Sequence, residues 1–193
     1  SNELSSLYFD IRKDTLYCDK SSSKKRRATR TTLNILFNYL VRWLAPFLAF
    51  TCEEAWQSAG NQSSIHLEEF LSVNNKYKNY DIKNKWDIIK NIRKVITGAL
   101  EKKRAEKYIG SSLEAHAKIY LSSQIIPNVK NVDFGEVAIT SSFEILIYNE
   151  NNNAFIMEDI KEVAVDIEKS SGKKCHRCWK FDHKLNLNNI CNR

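Results

Sequence analysis

The chain has 193 residues, 42% of them hydrophobic, with four Trp, eight Tyr and nine Phe, the composition of a packed soluble protein. Only five Gly and two Pro argue against a turn-rich all-β design and for long regular elements, mainly helices. The formal net charge of +7 excludes an acidic protein and leaves two readings, a polyanionic partner (nucleic acid or an acidic membrane surface) or basic faces that are merely solvated.

The first twenty residues, SNELSSLYFDIRKDTLYCDK, read as an extended or partly helical junction. Beyond them Leu33, Leu36, Phe37, Leu40, Val41 and Leu44 recur at helical spacing, with Ser22 or Ser23 as cap and Pro46 as the stop. The run Trp43 to Phe50 is the most apolar stretch, far short of the ~20 residues a membrane span needs. No basic-then-apolar leader opens the chain, so secretion is not expected. In TCEEAW, Thr51 and Glu54 form a capping box that predicts a second helix carrying Trp56 into the core. A polar loop, Ser58 to Ser64, follows.

A third helix is predicted from about Ile82 to Tyr108, with Trp86, Ile89, Ile92, Ile96, Ala99 and Leu100 as its apolar stripe and Gly110 just past its end. Its basic last turns (Lys102, Lys103, Arg104, Lys107) suit the negative end of the helix dipole. After Gly110 the period falls to two. EAHAKIYL, FEILIY (Phe143 to Tyr148) and EVAVDIE (Glu162 to Glu168) read as strands, and Asn149 to Ala154 as a turn. His116 falls on a polar face, as an ordinary exposed histidine would. The organisation is thus a helical bundle, a small α+β module and a cysteine knuckle, with no internal repeat.

Cys18 and Cys52 lie far from the other cysteines and are expected to be reduced core residues, as in a cytosolic protein. Cys175 and Cys178 sit two residues apart, where a short turn aims both sulfurs at one ion, and Cys191 begins what would be a second such turn. Two facing C-x-x-C turns make the tetrahedral sulfur cage that zinc prefers. The fourth cysteine would stand one residue beyond Arg193, so the expectation is a zinc site cut by the end of the chain. A redox pair and a chance cluster are the alternatives. His176 and His183 offer nitrogen, but neither sits at the second turn. Lys173, Lys174, Arg177 and Lys180 offset thiolate charge, and Trp179 is either a platform for an unpaired base or a cover over the metal. Phosphate loops, nucleophile elbows and paired-histidine motifs are absent, so no catalytic residue is expected.

Five segments carry a resemblance, in order. YFDIRKDTLYCD (Tyr8 to Asp19), RRATRTTLNIL, LAPFLAFTCEEAW (Leu44 to Trp56), RAEKYIGSSLEA (Arg104 to Ala115) and the closing GKKCHRCW are similar to the C-terminal half of bacterial isoleucyl-tRNA synthetases. The related class I enzymes for valine and leucine share the bundle but not the closing Cys-x-x-Cys-Trp, which favours isoleucine.

The resemblance implies a mainly α, helical-bundle anticodon-binding domain of the class I synthetase type, then a small α+β module and a C-terminal zinc knuckle. The implied ranges are 1–20 for a junction, 21–110 for the bundle, 111–172 for the module and 173–193 for the knuckle. It implies one zinc ion on Cys175, Cys178 and Cys191. The implied partner is isoleucine tRNA, whose anticodon stem-loop would meet Lys24, Lys25, Arg26, Arg30, Lys173, Lys174, Arg177 and Trp179 in a cytoplasmic monomer. ATP-dependent ligation and editing would belong to domains N-terminal to this segment. The alternative is a free-standing zinc-containing RNA-binding or interaction module.

Overall fold

In the computed structural model, residues 3–149 and 154–193 are described; the turn expected at Asn149 to Ala154 falls largely on residues outside that range. Most of the regular structure is helical, joined by a small mixed sheet and a cluster of three cysteines. Compactness divides the chain into two units, Thr15–Lys78 and a discontinuous one made of Ser1–Asp14 with Asn79–Arg193. The third long helix shares its core with the sheet.

In the first of these units, α2 (Lys24–Leu44) starts at Ser23, whose hydroxyl accepts from the Arg26 amide at 3.4 Å, and stops before Pro46. Helix α3 (Ala49–Ser58) begins two residues before Thr51, so the capping box does not form; Leu48 is the N-cap and makes no side-chain cap. Val41, Ala45, Cys52, Trp56 and Ile65 form a small core. Within it Arg42 is nine-tenths buried, stacked 4.6 Å from the Trp56 ring and bonded to Glu68 at 2.8 Å and to the Asn38 carbonyl at 3.0 Å. A cation held this way avoids the desolvation cost of an unpaired buried charge. The carboxylate of Glu53 accepts from the Ser64 hydroxyl (2.8 Å) and the Ile65 amide (2.9 Å), fastening α3 to the turn after it.

The discontinuous unit opens with a π-helical stretch, Glu3–Phe9, that runs into α1 (Asp10–Cys18), whose last four residues fall in the other unit, so the expected junction is helical. Ile11 is buried, and Arg12 pairs with Glu136 at 2.7 Å. Helix α4 (Tyr80–Ala105) is capped by Asn79 and buries Ile89, Ile92, Val95, Ile96, Ala99 and Leu100, while Trp86 stays at the exposed rim. It ends at Lys107 in the left-handed region (φ 56°), not at Gly110.

Strand β1 (Ala115–Leu121) alternates buried and half-buried residues without a break, as its sequence predicts. It lies between β2 (Ser142–Ile147), which runs parallel to it, and β4 (Ile160–Lys169), which runs antiparallel and carries β3 (Phe155–Met157) on its other side. The β1–β2 crossover holds two one-turn helices, α5 (Ile126–Val129) and α6 (Phe134–Val137). No helix among the described residues is long and apolar enough to cross a membrane.

Candidate metal centre and nucleic-acid interface

After β4 the chain turns at Gly172 (φ 101°), where a Cβ would lie 2.7 Å from the Asp182 carbonyl group; only glycine allows that approach. Strand β5 (Lys173–Lys174) then pairs with β6 (Phe181–Asp182), and the intervening turn holds Cys175 and Cys178. The turn is closed by the Trp179 amide donating to the Cys175 carbonyl at 2.9 Å and the Cys175 amide donating to the Lys180 carbonyl at 2.8 Å. Further on, the Asn186 side chain accepts from the amides of Asn188 (3.0 Å) and Ile190 (2.9 Å), and this Asx turn delivers Cys191.

The three sulfurs converge within 4.8 Å of one another, with Cys178 and Cys191 3.6 Å apart, and all three cysteines are buried. A tetrahedral zinc with bonds of ~2.3 Å sets its sulfurs ~3.8 Å apart, so the donor set fits that ion. Burial pushes the Cys175 thiol up, but the backbone amides of Cys178, Cys191 and Arg177 outweigh it and hold it at about 6. Burial carries Cys178 to about 12, with the thiols of Cys175 and Cys191 adding to the rise. Three thiolates in one buried site repel one another, and a divalent cation is the group that relieves this. Cys18 and Cys52 are buried, apart from this cluster.

The other residues singled out by the sequence take different positions. The Arg177 guanidinium donates to the carbonyls of Cys191 (2.9 Å) and Arg193 (2.8 Å), so it ties the first turn to the second. Trp179 is 60% exposed, its backbone is left-handed (φ 65°), and the Lys174 ammonium sits 5.5 Å from the ring centroid. Lys173 and Lys174 are exposed on β5, whereas the Lys180 amine donates to the Gly135 carbonyl at 3.1 Å. Lys24, Lys25 and Arg30 are exposed on the first turns of α2, and Arg26 donates to the Asp19 carbonyl at 2.9 Å. Those four belong to the other compact unit.

His116 is not the freely exposed residue expected. It is half-buried and opposite Ser142 in the parallel β1–β2 register, with Nδ1 2.8 Å from the serine hydroxyl. Its alternation was visible in the sequence, but its partner depends on a strand pairing that no local signal specifies.

Residues 1–120 match the family model described as the anticodon-binding domain of tRNA ligase. Over 181 residues, 93% of the chain, it is 45% identical to the isoleucine–tRNA ligase of Bartonella henselae. It is 43% identical over 187 residues, 94% of the chain, to that of Rhodopseudomonas palustris, and 43% identical over 188 residues, 96% of the chain, to that of Bradyrhizobium diazoefficiens. The chain spans 19% of the length of each of these relatives. With nearly two thirds of its residues matched to that domain, the chain belongs to the family of anticodon-binding domains of tRNA ligases.

Proposed function

We propose that this chain is the tRNA-recognising C-terminal part of an isoleucine–tRNA ligase, binding the anticodon stem-loop of isoleucine tRNA as a cytoplasmic monomer. The observation that carries the reading is the similarity to isoleucine–tRNA ligases over 93% of the chain. Activation of isoleucine with ATP, transfer and editing fall to the remainder of the ligase, since the 193 residues hold no adenylation or nucleophile motif.

In this reading the helices of the class I anticodon-binding bundle meet phosphates through Lys24, Lys25, Arg26 and Arg30, contacts that position the RNA without reading its sequence. One zinc ion sits on Cys175, Cys178 and Cys191, with a fourth donor outside these three, and its chemistry is structural: it fixes the two turns. Lys173, Lys174 and Trp179 then form a basic, aromatic face suited to a splayed base. Arg177 supports that face from within the knuckle. The functional ranges remain 21–110 for RNA docking, 111–172 for the linking module and 173–193 for the knuckle.

The test is direct. Labelled isoleucine tRNA and valine tRNA are titrated with the chain in zinc-containing buffer, and bound metal is measured by elemental analysis. Tighter binding of isoleucine tRNA with about one zinc per chain is expected. Equal, weak binding of both tRNAs overturns the assignment.

A further inference from the structure

Each of the two cysteine turns sends out one basic arm, at the same offset from a cysteine. Lys180 stands two residues after Cys178, and Arg193 two residues after Cys191. The Lys180 ammonium donates to the Gly135 carbonyl of α6 at 3.1 Å, and the Arg193 guanidinium pairs with the Asp14 carboxylate of α1. Between those two anchors, Arg12 of α1 pairs with Glu136 of α6 at 2.7 Å. Knuckle, α1 and α6 thus close a ring of three ties, all within the discontinuous unit. Both ion pairs are partly withdrawn from water, with side chains 25% and 15% exposed for Arg12 and Glu136, and 30% and 27% for Arg193 and Asp14. Pairs sheltered in this way are screened less than exposed ones.

The two arms do not depend on the cysteines equally. Lys180 leads directly into β6, which pairs with β5. The Phe181 amide of β6 donates to the Ser141 hydroxyl at 2.7 Å, and that hydroxyl donates to the Leu113 carbonyl at 2.5 Å. The first arm is therefore fastened to the sheet without any sulfur. The turn that carries Arg193 is held to the first turn by contacts at the cysteines and their neighbours. The Cys191 amide donates to the Cys175 sulfur at 3.3 Å, Arg177 donates to the Cys191 carbonyl, and the His176 amide donates to the Asn189 carbonyl at 2.9 Å. The position of Arg193 thus follows from how the three sulfurs are gathered. Gathering them on one cation is what a structural zinc supplies.

We propose that the knuckle is a metal-set clasp on α1. With zinc on Cys175, Cys178 and Cys191, Arg193 holds Asp14; with the metal removed, Arg193 releases Asp14 while Lys180 stays on Gly135. Asp14 is the last residue of the N-terminal strip before the chain passes to the other compact unit. Metal occupancy thereby sets how firmly the end of that strip is ordered. The proposal rests on the zinc reading above and extends it to residues outside the site.

The test is hydrogen–deuterium exchange of the full chain, loaded with zinc and again after a chelator has removed it. Removal is expected to speed exchange of the α1 amides by about fivefold or more, a modest coupling between sites, while α6 and β1 keep their rates. Asp14→Asn cuts the clasp and leaves the three cysteines intact. In this variant α1 is expected to exchange fast even with zinc bound, with no further change on chelation. By reciprocity its zinc affinity is expected to fall by the same factor of about five or more, read by competition with a chelating dye. The chelation arm on the parent chain needs no substitution, so a poorly folding variant does not remove the test. If the parent takes up zinc and α1 exchanges at one rate with and without it, the clasp is overturned and the zinc reading stands. Faster exchange throughout β1 and β4 on chelation means that the whole unit opens, and this overturns the clasp as well. If the parent takes up no zinc, the zinc reading falls and takes this proposal with it.

Discussion

Arg177 and Cys191, fourteen positions apart, are joined by a guanidinium–carbonyl hydrogen bond of 2.9 Å, and the same nitrogen lies 3.6 Å from the cysteine sulfur. An arginine that sits beside a candidate ligand sulfur and pins the turn carrying it would orient that donor toward a metal ion. Replacing Arg177 by Ala is expected to weaken zinc affinity 10–100-fold, measured by competition with a chelating dye. Weaker tRNA binding at unchanged metal affinity would instead make Arg177 a direct RNA contact.

Trp179 combines an exposed ring with a left-handed backbone, which costs a non-glycine residue ~1–3 kcal/mol. Trp179→Ala is expected to lose ~1–3 kcal/mol of tRNA affinity if the ring stacks on a base. Trp179→Gly should bind tRNA as poorly as Trp179→Ala yet melt at a higher temperature than it. Identical melts for the two variants would show that the turn stores no strain, and wild-type affinity in both would remove the ring from the interface.

Metal uptake should be acid-sensitive. At neutral pH Cys175, held at about 6, is already a thiolate, while Cys178, pushed to about 12, must give up a proton to bind. Zinc affinity is therefore expected to rise about tenfold per pH unit above neutrality from the Cys178 proton alone, and to fall more steeply once the pH drops below about 6. Calorimetry in buffers of different ionisation enthalpy counts the released protons. A count of zero would contradict the assignment.

Glu53 gives the small helical unit its own acid dependence. Its carboxyl is held below the usual range, first by the Ser64 hydroxyl and further by the Ile65 amide and the Gln57 side chain, with burial opposing. A carboxyl lowered in the folded state contributes stability that is complete above its unfolded value and is lost as pH falls through the folded value. Melting temperature should therefore fall between about pH 5 and pH 3 in the parent and fall less in Glu53→Gln. Parallel curves for the two proteins would rule out this link.

How much of this was legible depended on the range of the interaction involved. The β1 alternation, the Ser23 cap and the cysteine trio are local, and each stands where its pattern indicates. The end of α4 was misplaced because Lys107, not a glycine, takes the left-handed position, and lysine carries no signal for it. Thr51 and Glu54 have the spacing of a capping box, but the helix had already started at Ala49. The crossover helices had weak marks, Pro127 in the first turn of α5 and the Asp133 cap of α6, in segments too short to show a period. The pairing of His116 with Ser142 and the fold-back of Arg177 onto Cys191 are long-range, and spacing alone does not encode them.

The discontinuous unit has a consequence for synthesis. Its first strip, ending at Asp14, makes the Arg12–Glu136 ion pair and buries Ile11, so its partners are translated long after it. At a ribosomal pace of ~5–20 residues per second, that strip waits roughly ten to thirty seconds for the knuckle. The enclosed unit, Thr15–Lys78, has all its core residues within reach far sooner. Its helices are thus positioned to form on the ribosome while the flanking strip still waits for its partners.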